Sequence, residues 1–254
     1  MKLLPVILLA AIQFTLCSGV AVVFRDAVKR AQPQGIDVSH FQTTVDWATV
    51  KASGVSFVYI KATEGTTFVD PTFSSKYTGA TTAGLIRGGY HFAHPDISSG
   101  ATQANYFLAH GKYCVSLPGA CLNFVVGGGW SADGITLPGA LDIEYNPDGA
   151  ECYGLSASAM VSWISDFSST YHAATTRYPV IYTTTDWWTT CTGNSAAFAT
   201  NNPLWIAHYA SSVGTLPAGW SFTTFWQYAD SGANPGDQDS FNGDAAGLKR
   251  LATG

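Results

Sequence analysis

The chain has 254 residues, a formal charge of −5, 46% hydrophobic residues and only 11% charged ones. This composition excludes a disordered chain, and without a basic footprint it also excludes nucleic acid as a partner. Eight Trp and twelve Tyr are more than one core requires, so some aromatic faces are left over for a ligand that stacks, although most of them pack.

The N-terminus reads as a targeting segment. Met1-Lys2 is a short positive start, Leu3 to Leu16 is almost uninterrupted apolar chain, and Cys17-Ser18-Gly19 are small. Residues 1–19 are therefore expected to be a signal peptide, too short and wrongly flanked for a membrane anchor. Residues 20–30 end in the dibasic pair Lys29-Arg30, where processing proteases of the secretory route cut. A pro-segment over 20–30 and a mature domain over 31–254 follow from that reading. Loss of residues 1–30 removes Lys2, Arg25, Lys29, Arg30 and Asp26, which takes the formal charge from −5 to −8. The expectation is a secreted, extracellular protein with no membrane or nucleic-acid partner, and a monomer by default. Such a charge cannot hold an anionic polymer by bulk attraction. Recognition of one would be local, and activity on it is expected to rise as pH falls.

Of five cysteines, Cys17 lies in the signal peptide. Cys114, Cys121, Cys152 and Cys191 remain, an even set that reads as disulfides with three possible pairings. The preferred pairing is a local Cys114–Cys121 loop closure and a long-range Cys152–Cys191 tie. The spacings do not fit zinc, and no N-x-S/T sequon occurs.

Gly35 to Val38 reads as the first strand. A short helix follows over Val45 to Lys51, with Asp46 as N-cap and Gly54 closing it. Val55 to Ala62 is a dense β-branched and aromatic run, the second strand. Asp70-Pro71 opens a helix, with Asp70 at the N-cap and Pro71 at N1, that ends at Gly84. Leu85 to Phe92 holds the third strand, and Ser98 to His110 a helix with Ala101, Ala104, Phe107 and Leu108 on one side. Residues 111–136 read as an ordered loop insertion. Gly139 to Glu144 is the fourth strand. Ser156 to Tyr171 is the clearest helix, because Met160, Trp163, Ile164, Phe167 and Tyr171 recur at three and four. Pro179 to Thr183, Leu204 to Tyr209 and Thr223 to Tyr228 are further strands, and a last one ends near Asp239. Strand–helix alternation in the first half and strands with few helices in the second suggest an α/β barrel that is incomplete or irregular.

Leu141-Asp142-Ile143-Glu144 is the sharpest local signal. Side chains at i and i+2 of a strand share a face, so Asp142 and Glu144 point together. Such a pair either binds a cation or does acid chemistry. Like charges so close resist joint ionisation, and a carboxyl that keeps its proton near neutrality is a general acid. In α/β barrels the active residues sit at the C-terminal ends of strands. Asp37, Glu64, Tyr90, Asp142, Glu144, Tyr182, His208, Gln227 and Asp239 all fall at or near such ends. His91 and His94 form H-x-x-H but lack a third ligand and a helix, so no metal is expected and His91 is read as a packed barrel residue. Tyr90, Tyr182, Trp205 and Trp226 either stack on a ligand or fill the barrel, with Tyr90 and Tyr182 favoured for the ligand. His208 is either a core or a substrate residue, Glu64 either contacts substrate or braces the acids, and Trp187-Trp188 beside Cys191 read as packing.

Together these segments resemble glycoside hydrolase family 25, the Chalaropsis-type lysozymes. The matching residues are Gly35-Ile36-Asp37-Val38-Ser39, Val45-Asp46-Trp47, Ile60-Lys61-Ala62-Thr63-Glu64-Gly65, Gly89-Tyr90-His91-Phe92, Leu141-Asp142-Ile143-Glu144, Ile181-Tyr182-Thr183, Leu204-Trp205-Ile206-Ala207, Trp226-Gln227-Tyr228 and Asp239-Ser240-Phe241-Asn242. The Gly127 to Gly139 loop with Cys152 and Cys191 looks like the fungal branch. The resemblance implies a single-domain, TIM-like (β/α)5β3 barrel. It also implies a muramidase that cuts the β-1,4 bond between N-acetylmuramic acid and N-acetylglucosamine in bacterial peptidoglycan, without a cofactor. Glu144 would be the general acid, Asp142 would flank the anomeric region, and Asp37 and Asp239 would complete the acidic cluster; Asp237 is the competing choice, and Asp239 is preferred because Asp-Ser-Phe-Asn follows in the family manner, which makes Asp237 a solvated loop acid. Two routes are open. One uses a carboxylate nucleophile. The other, preferred here, uses the substrate's own 2-acetamido oxygen with Asp142 stabilising the acetamido nitrogen.

Overall fold

The computed structural model describes residues 32–110, 115–117, 120–122 and 129–254. The expected signal peptide and pro-segment, and the expected Cys114–Cys121 bridge, lie outside the described residues and side chains.

Eight strands close into a barrel in the order β1 (Gln34–Val38), β11 (Asp237–Phe241), β10 (Phe225–Ala229), β9 (Leu204–Ala207), β8 (Val180–Thr183), β7 (Ala140–Asp142), β4 (Ile86–Phe92) and β2 (Val55–Glu64), with β2 pairing back to β1. A two-residue strand, β3 (Phe68–Val69), folds back on β2, and β5 (Val115–Leu117) pairs with β6 (Ala120–Leu122) as a separate hairpin. All barrel neighbours are parallel except β11, which is antiparallel to both β10 and β1. Helices follow β1 (α1, Trp47–Ala52), the β2–β3 pair (α2, Phe73–Thr82), β4 (α3, Gly100–His110), β7 (α4, Ala157–Thr175) and β8 (α5, Thr185–Thr192). No helix separates β9, β10 and β11, and α6 (Ala245–Thr253) ends the chain. Five strand–helix units and then three bare strands make up the expected irregular barrel.

Period-two alternation divides the apolar residues into two cores. Ile36, Val58, Ile60, Leu141, Ile143, Ile181, Leu204 and Ile206 face outward against the helices. Phe57, Tyr59, Ala140, Val180, Tyr182, Trp205, Phe225 and Phe241 face inward, joined by Leu248 and Ala252 of α6. Gly35 makes room for this filling, since a Cβ there would run into the Phe57 ring. The helix α4 is built as its spacing requires: Ser156 caps it by accepting from Ala159 N, and Met160, Trp163, Ile164, Phe167 and Tyr171 are buried.

Two local readings need correction, and one helix, around the packed Trp187-Trp188 pair, went unread. Asp70 does not cap α2. Its carboxylate accepts from Thr72 N, Thr72 Oγ1 and His40 N, which holds a turn ahead of the helix, and Thr72 takes the N-cap place. The buried face of α3 is Gly100, Gln103, Ala104 and Phe107 rather than one through Ala101, because Gln103 turns inward to bond His91 at 3.0 Å. The Trp187-Trp188 segment is helical: Thr184 caps α5 by accepting from Trp187 N, and both indoles are fully buried.

The Cys152–Cys191 bridge is present and spans 39 residues. It ties the segment after β7, next to the acid pair, to α5. Cys152→Ser is expected to destabilise the fold by about 2–4 kcal/mol. Equal Tm values for parent and variant in calorimetry would contradict this.

Candidate active site

Alternation brings one inward side chain from each strand to the barrel mouth. Asp37, Lys61, Tyr90, Asp142, Tyr182, Trp205, Gln227 and Asp237 line a cleft of about 230 Å³, together with Glu144 and with Ser39, Phe41 and Gln42 from the loop after β1. Glu144 lies beyond β7, but the chain stays paired past it through Ile143 N to Tyr182 O at 3.0 Å, so Asp142 and Glu144 still share a face. They are hydrogen-bonded to each other. A second lobe of about 770 Å³ adjoins the cleft, shares Glu144 and Tyr182 with it, and adds Tyr145, His208 and Tyr209.

Asp237 occupies a place that the sequence reading denied it. It heads β11, pairs with Asp37 in register, and lines the cleft. Because β11 runs antiparallel, its first residue and not its last stands at the rim. Gly236 fixes this approach: its φ is +77°, and a Cβ there would collide with the Asp37 carbonyl. Asp239 sits one step deeper, opposite Gly35 and Gln227, fully buried, and accepts from Trp205 Nε1 at 2.8 Å. The solvated-loop reading of Asp237 is therefore wrong, and Asp239 lies beneath the cleft lining.

Gln227 is the hub of the mouth. Its Nε2 donates to Asp37 Oδ2 at 2.7 Å and to Asp237 Oδ2 at 3.1 Å. Its Oε1 accepts from Tyr182 OH and from Tyr209 OH, each at 2.9 Å. A primary amide offers two donor hydrogens and two lone pairs, so this one is fully committed to protein and orients the site.

The other candidates divide clearly. Tyr90 and Tyr182 line the cleft, and Trp205 forms part of its floor. His208 lies in the second lobe with Nδ1 against Ser212 O at 2.9 Å. Trp226 is on the outer barrel face, packed against the helix-side core, with Nε1 donating to His208 O; it does not line the cleft. Glu64 lines a separate cavity with His94. It braces Lys61 at 2.6 Å and meets His94 Nε2 at 3.0 Å. His91 is buried between Thr63 Oγ1 and Gln103 Oε1, and among the described residues no three His, Cys, Asp or Glu are grouped to hold a metal ion. Lys61 was missed from sequence. Among the described residues it is the one Lys or Arg lining the cleft, and its charge opposes the upward shift of both Asp142 and Glu144.

Burial dominates the electrostatics. It pushes Asp37 up to about 8, helped by the charge of Asp237. Asp237 rises to about 6 through burial and the nearby Asp230. Burial and Glu144 hold Asp142 well above the carboxylate range, and burial and Asp37 do the same for Asp239. Glu144 is raised by burial and by Asp237, against the hydrogen bond from Asp142. Groups this close titrate together, and burial pushes both members of the pair Asp142–Glu144 upward.

These shifts fix a stability profile. A carboxyl whose folded pKa is raised keeps a proton that the unfolded chain has released, so the fold loses stability as pH climbs. That window opens at the ordinary value of 3.8 and reaches about 8 for Asp37. On the acid side Asp70 and Glu64 act oppositely. Burial raises each, but hydrogen bonds from Thr72 and His40, and from Lys61 and His94, outweigh it and hold both low. Their stabilisation is lost as pH falls below the ordinary range. Tm is expected to peak near pH ~4–5 and to decline toward pH ~8. A Tm that still climbs across that interval in calorimetric scans contradicts the assignment.

A closed, largely parallel barrel whose C-terminal rim gathers a hydrogen-bonded carboxyl pair in an elongated cleft is the architecture of a glycoside hydrolase working by acid chemistry. The chain belongs to glycosyl hydrolases family 25, whose family model matches residues 36–237. An N,O-diacetylmuramidase from Chalaropsis sp is 51% identical over 225 residues, covering 87% of this chain and 99% of that protein. Lysozyme M1 from Streptomyces globisporus is 51% identical over 224 residues, 86% of this chain and 71% of its own. The solved structure of a muramidase from Acremonium alcalophilum is 61% identical and aligns with a TM-score of 0.80 over 87% of this chain and 99% of that one.

Proposed function

We infer that the chain is a secreted muramidase that hydrolyses the β-1,4 bond between N-acetylmuramic acid and N-acetylglucosamine in peptidoglycan, with Glu144 as the general acid. The observation that carries this is the Asp142–Glu144 hydrogen bond at the point where the two lobes of the cleft meet. A glycan laid across both lobes has its linkage beside Glu144. Secretion rests on the leader-like N-terminus; no described helix is long and apolar enough to cross a membrane.

The site favours substrate assistance. A carboxylate nucleophile must be ionised, yet Asp37 is pushed up to about 8 and is engaged by Gln227. Asp142 is bonded to the acid itself and so stands on the acid's side of the linkage. Its Oδ1 is buried with no hydrogen-bond partner among the described residues, an orphan acceptor suited to an acetamido N–H. In the proposed sequence Asp142 accepts that N–H, which leaves the shared proton on Glu144. Glu144 gives it to the glycosidic oxygen as the bond to C1 breaks, and the acetamido oxygen bonds C1 to form an oxazolinium ion. Water then attacks C1, the ring opens, and a proton of that water returns to Glu144.

The test is incubation of pure protein with peptidoglycan and with chitin, scored by new reducing ends. Release from peptidoglycan is expected. Release from chitin alone overturns the substrate, and a trapped covalent glycosyl-enzyme overturns the assisted route.

A further inference from the structure

Among the described residues seven large apolar side chains are exposed, and Phe41 is the most exposed of them at 77%. It is also the one that lines the acid cleft. The loop that carries it is built to hold it there. Ser39 N donates to Gln42 Oε1 at 2.9 Å and Gln42 N to Ser39 O at 3.1 Å, which closes a tight turn around residue 41. The buried Lys76 clamps the turn from below, with Nζ on Ser39 O at 2.6 Å. His40 packs its ring on Phe41 at 4.3 Å and is itself fixed to buried Asp70 through N at 2.8 Å and Nδ1 at 3.1 Å. An apolar ring left in water gives up burial worth roughly 1.5–3 kcal/mol, so a rigid scaffold that displays one calls for a ligand that covers it.

Topology says where that ligand runs. Counting around the barrel, β8 is four strands from β1 in either direction, so the two lie diametrically opposed. The second lobe gathers around the end of β8 and carries the aromatic rings of Tyr145 and Tyr209, whose hydroxyls bond Asp186 and Gln227. Phe41 faces this lobe across the acids. Resting on the muramidase reading above, we propose that Phe41 is a stacking platform for the apolar face of an amino-sugar ring, on the opposite side of the scissile linkage from the Tyr145–Tyr209 lobe. A stacking contact of this kind follows the shape of the pyranose face and not its charge.

The experiment separates this from the reading beneath it. Release of reducing ends by the parent chain decides the muramidase assignment. Phe41 is then judged by titrating a soluble hexamer of alternating N-acetylglucosamine and N-acetylmuramic acid, and in parallel a chitin hexamer, into Glu144→Gln protein, which leaves the ligand intact. Whichever oligomer binds, Phe41→Ala is expected to weaken its affinity about 3- to 10-fold, as loss of one stacking contact does. Phe41→Trp is expected to restore it. Phe222→Ala is the control, an exposed ring preceding β10 and so at the other end of the barrel. Unchanged affinity in Phe41→Ala, an equal loss in Phe222→Ala, or no recovery in Phe41→Trp each overturns the proposal.

Discussion

Glu144→Gln is expected to lower kcat by about 10²- to 10⁴-fold, the range that a positioned general acid contributes. The amide matches the carboxyl in size and keeps hydrogen-bonding capacity toward Asp142, but it has no proton to give to a leaving oxygen. KM should stay near the parent value, since ground-state contacts with sugar survive and only the transition-state proton transfer is lost. The fold should gain. Burial raises the Glu144 carboxyl, so the ionised form is disfavoured in place, and a neutral amide removes that cost. Tm of the variant is therefore expected to equal or exceed that of the parent near neutral pH. The combination of lost kcat, held KM and unreduced Tm distinguishes a catalytic acid from a structural one. A kcat within tenfold of the parent removes Glu144 from the role. A large fall in Tm instead makes it a packing residue.

Much of this site is legible in the sequence, and the limits are physical. Asp37, Asp142 and Tyr182 lie on parallel strands, where alternation and the C-terminal-rim rule apply together. The same two rules fail at β11. Alternation correctly pairs Asp237 with Asp239 on one face, but the rim rule selects the last carboxyl, and only the reversed strand direction shows that the first stands at the mouth. Nothing in local sequence states that a final strand returns antiparallel. Trp226 fails for a simpler reason. It is one residue from Gln227, and a step of one in a strand exchanges inside for outside, which placed it against the helices. The helices α5 and α6 were not read because each is short, and α5 is held by the tertiary burial of Trp187 and Trp188 and by the Cys152–Cys191 tie. By contrast α4 carries its own amphipathic period over nineteen residues. Lys61 sits in a β-branched run where a cation looks like an edge residue; its burial becomes sensible only once Glu64 is seen across from it at 2.6 Å.

Gln227→Glu is expected to be the most damaging change that leaves side-chain size unaltered. The amide nitrogen now donates to both Asp37 and Asp237, while its oxygen accepts from Tyr182 and Tyr209. A carboxylate keeps the two acceptor contacts and deletes both donors. It also sets a further negative charge among acids that burial and mutual repulsion already push upward. At neutral pH Asp237 is the ionised partner and Asp37 the largely protonated one, so the two lost bonds are worth about 1.5–3 and about 0.5–1.5 kcal/mol, about 2–4.5 kcal/mol together before repulsion is counted. The pH dependence gives the hypothesis its edge. The new carboxyl is buried beside like charges, so its folded pKa lies above the ordinary glutamate value of about 4.3. When protonated it regains one donor and sheds its charge. The Tm gap between variant and parent should thus be smallest below pH ~4 and widen steadily as pH rises through the folded pKa. Activity should suffer beyond the stability loss, because Asp37 and Asp237 are no longer held together at the cleft mouth. A gap that stays constant from acid to neutral pH means the amide contributes packing alone. A gap that shrinks toward neutrality means the acids are ionised and solvated, and the buried cluster described above does not exist in solution.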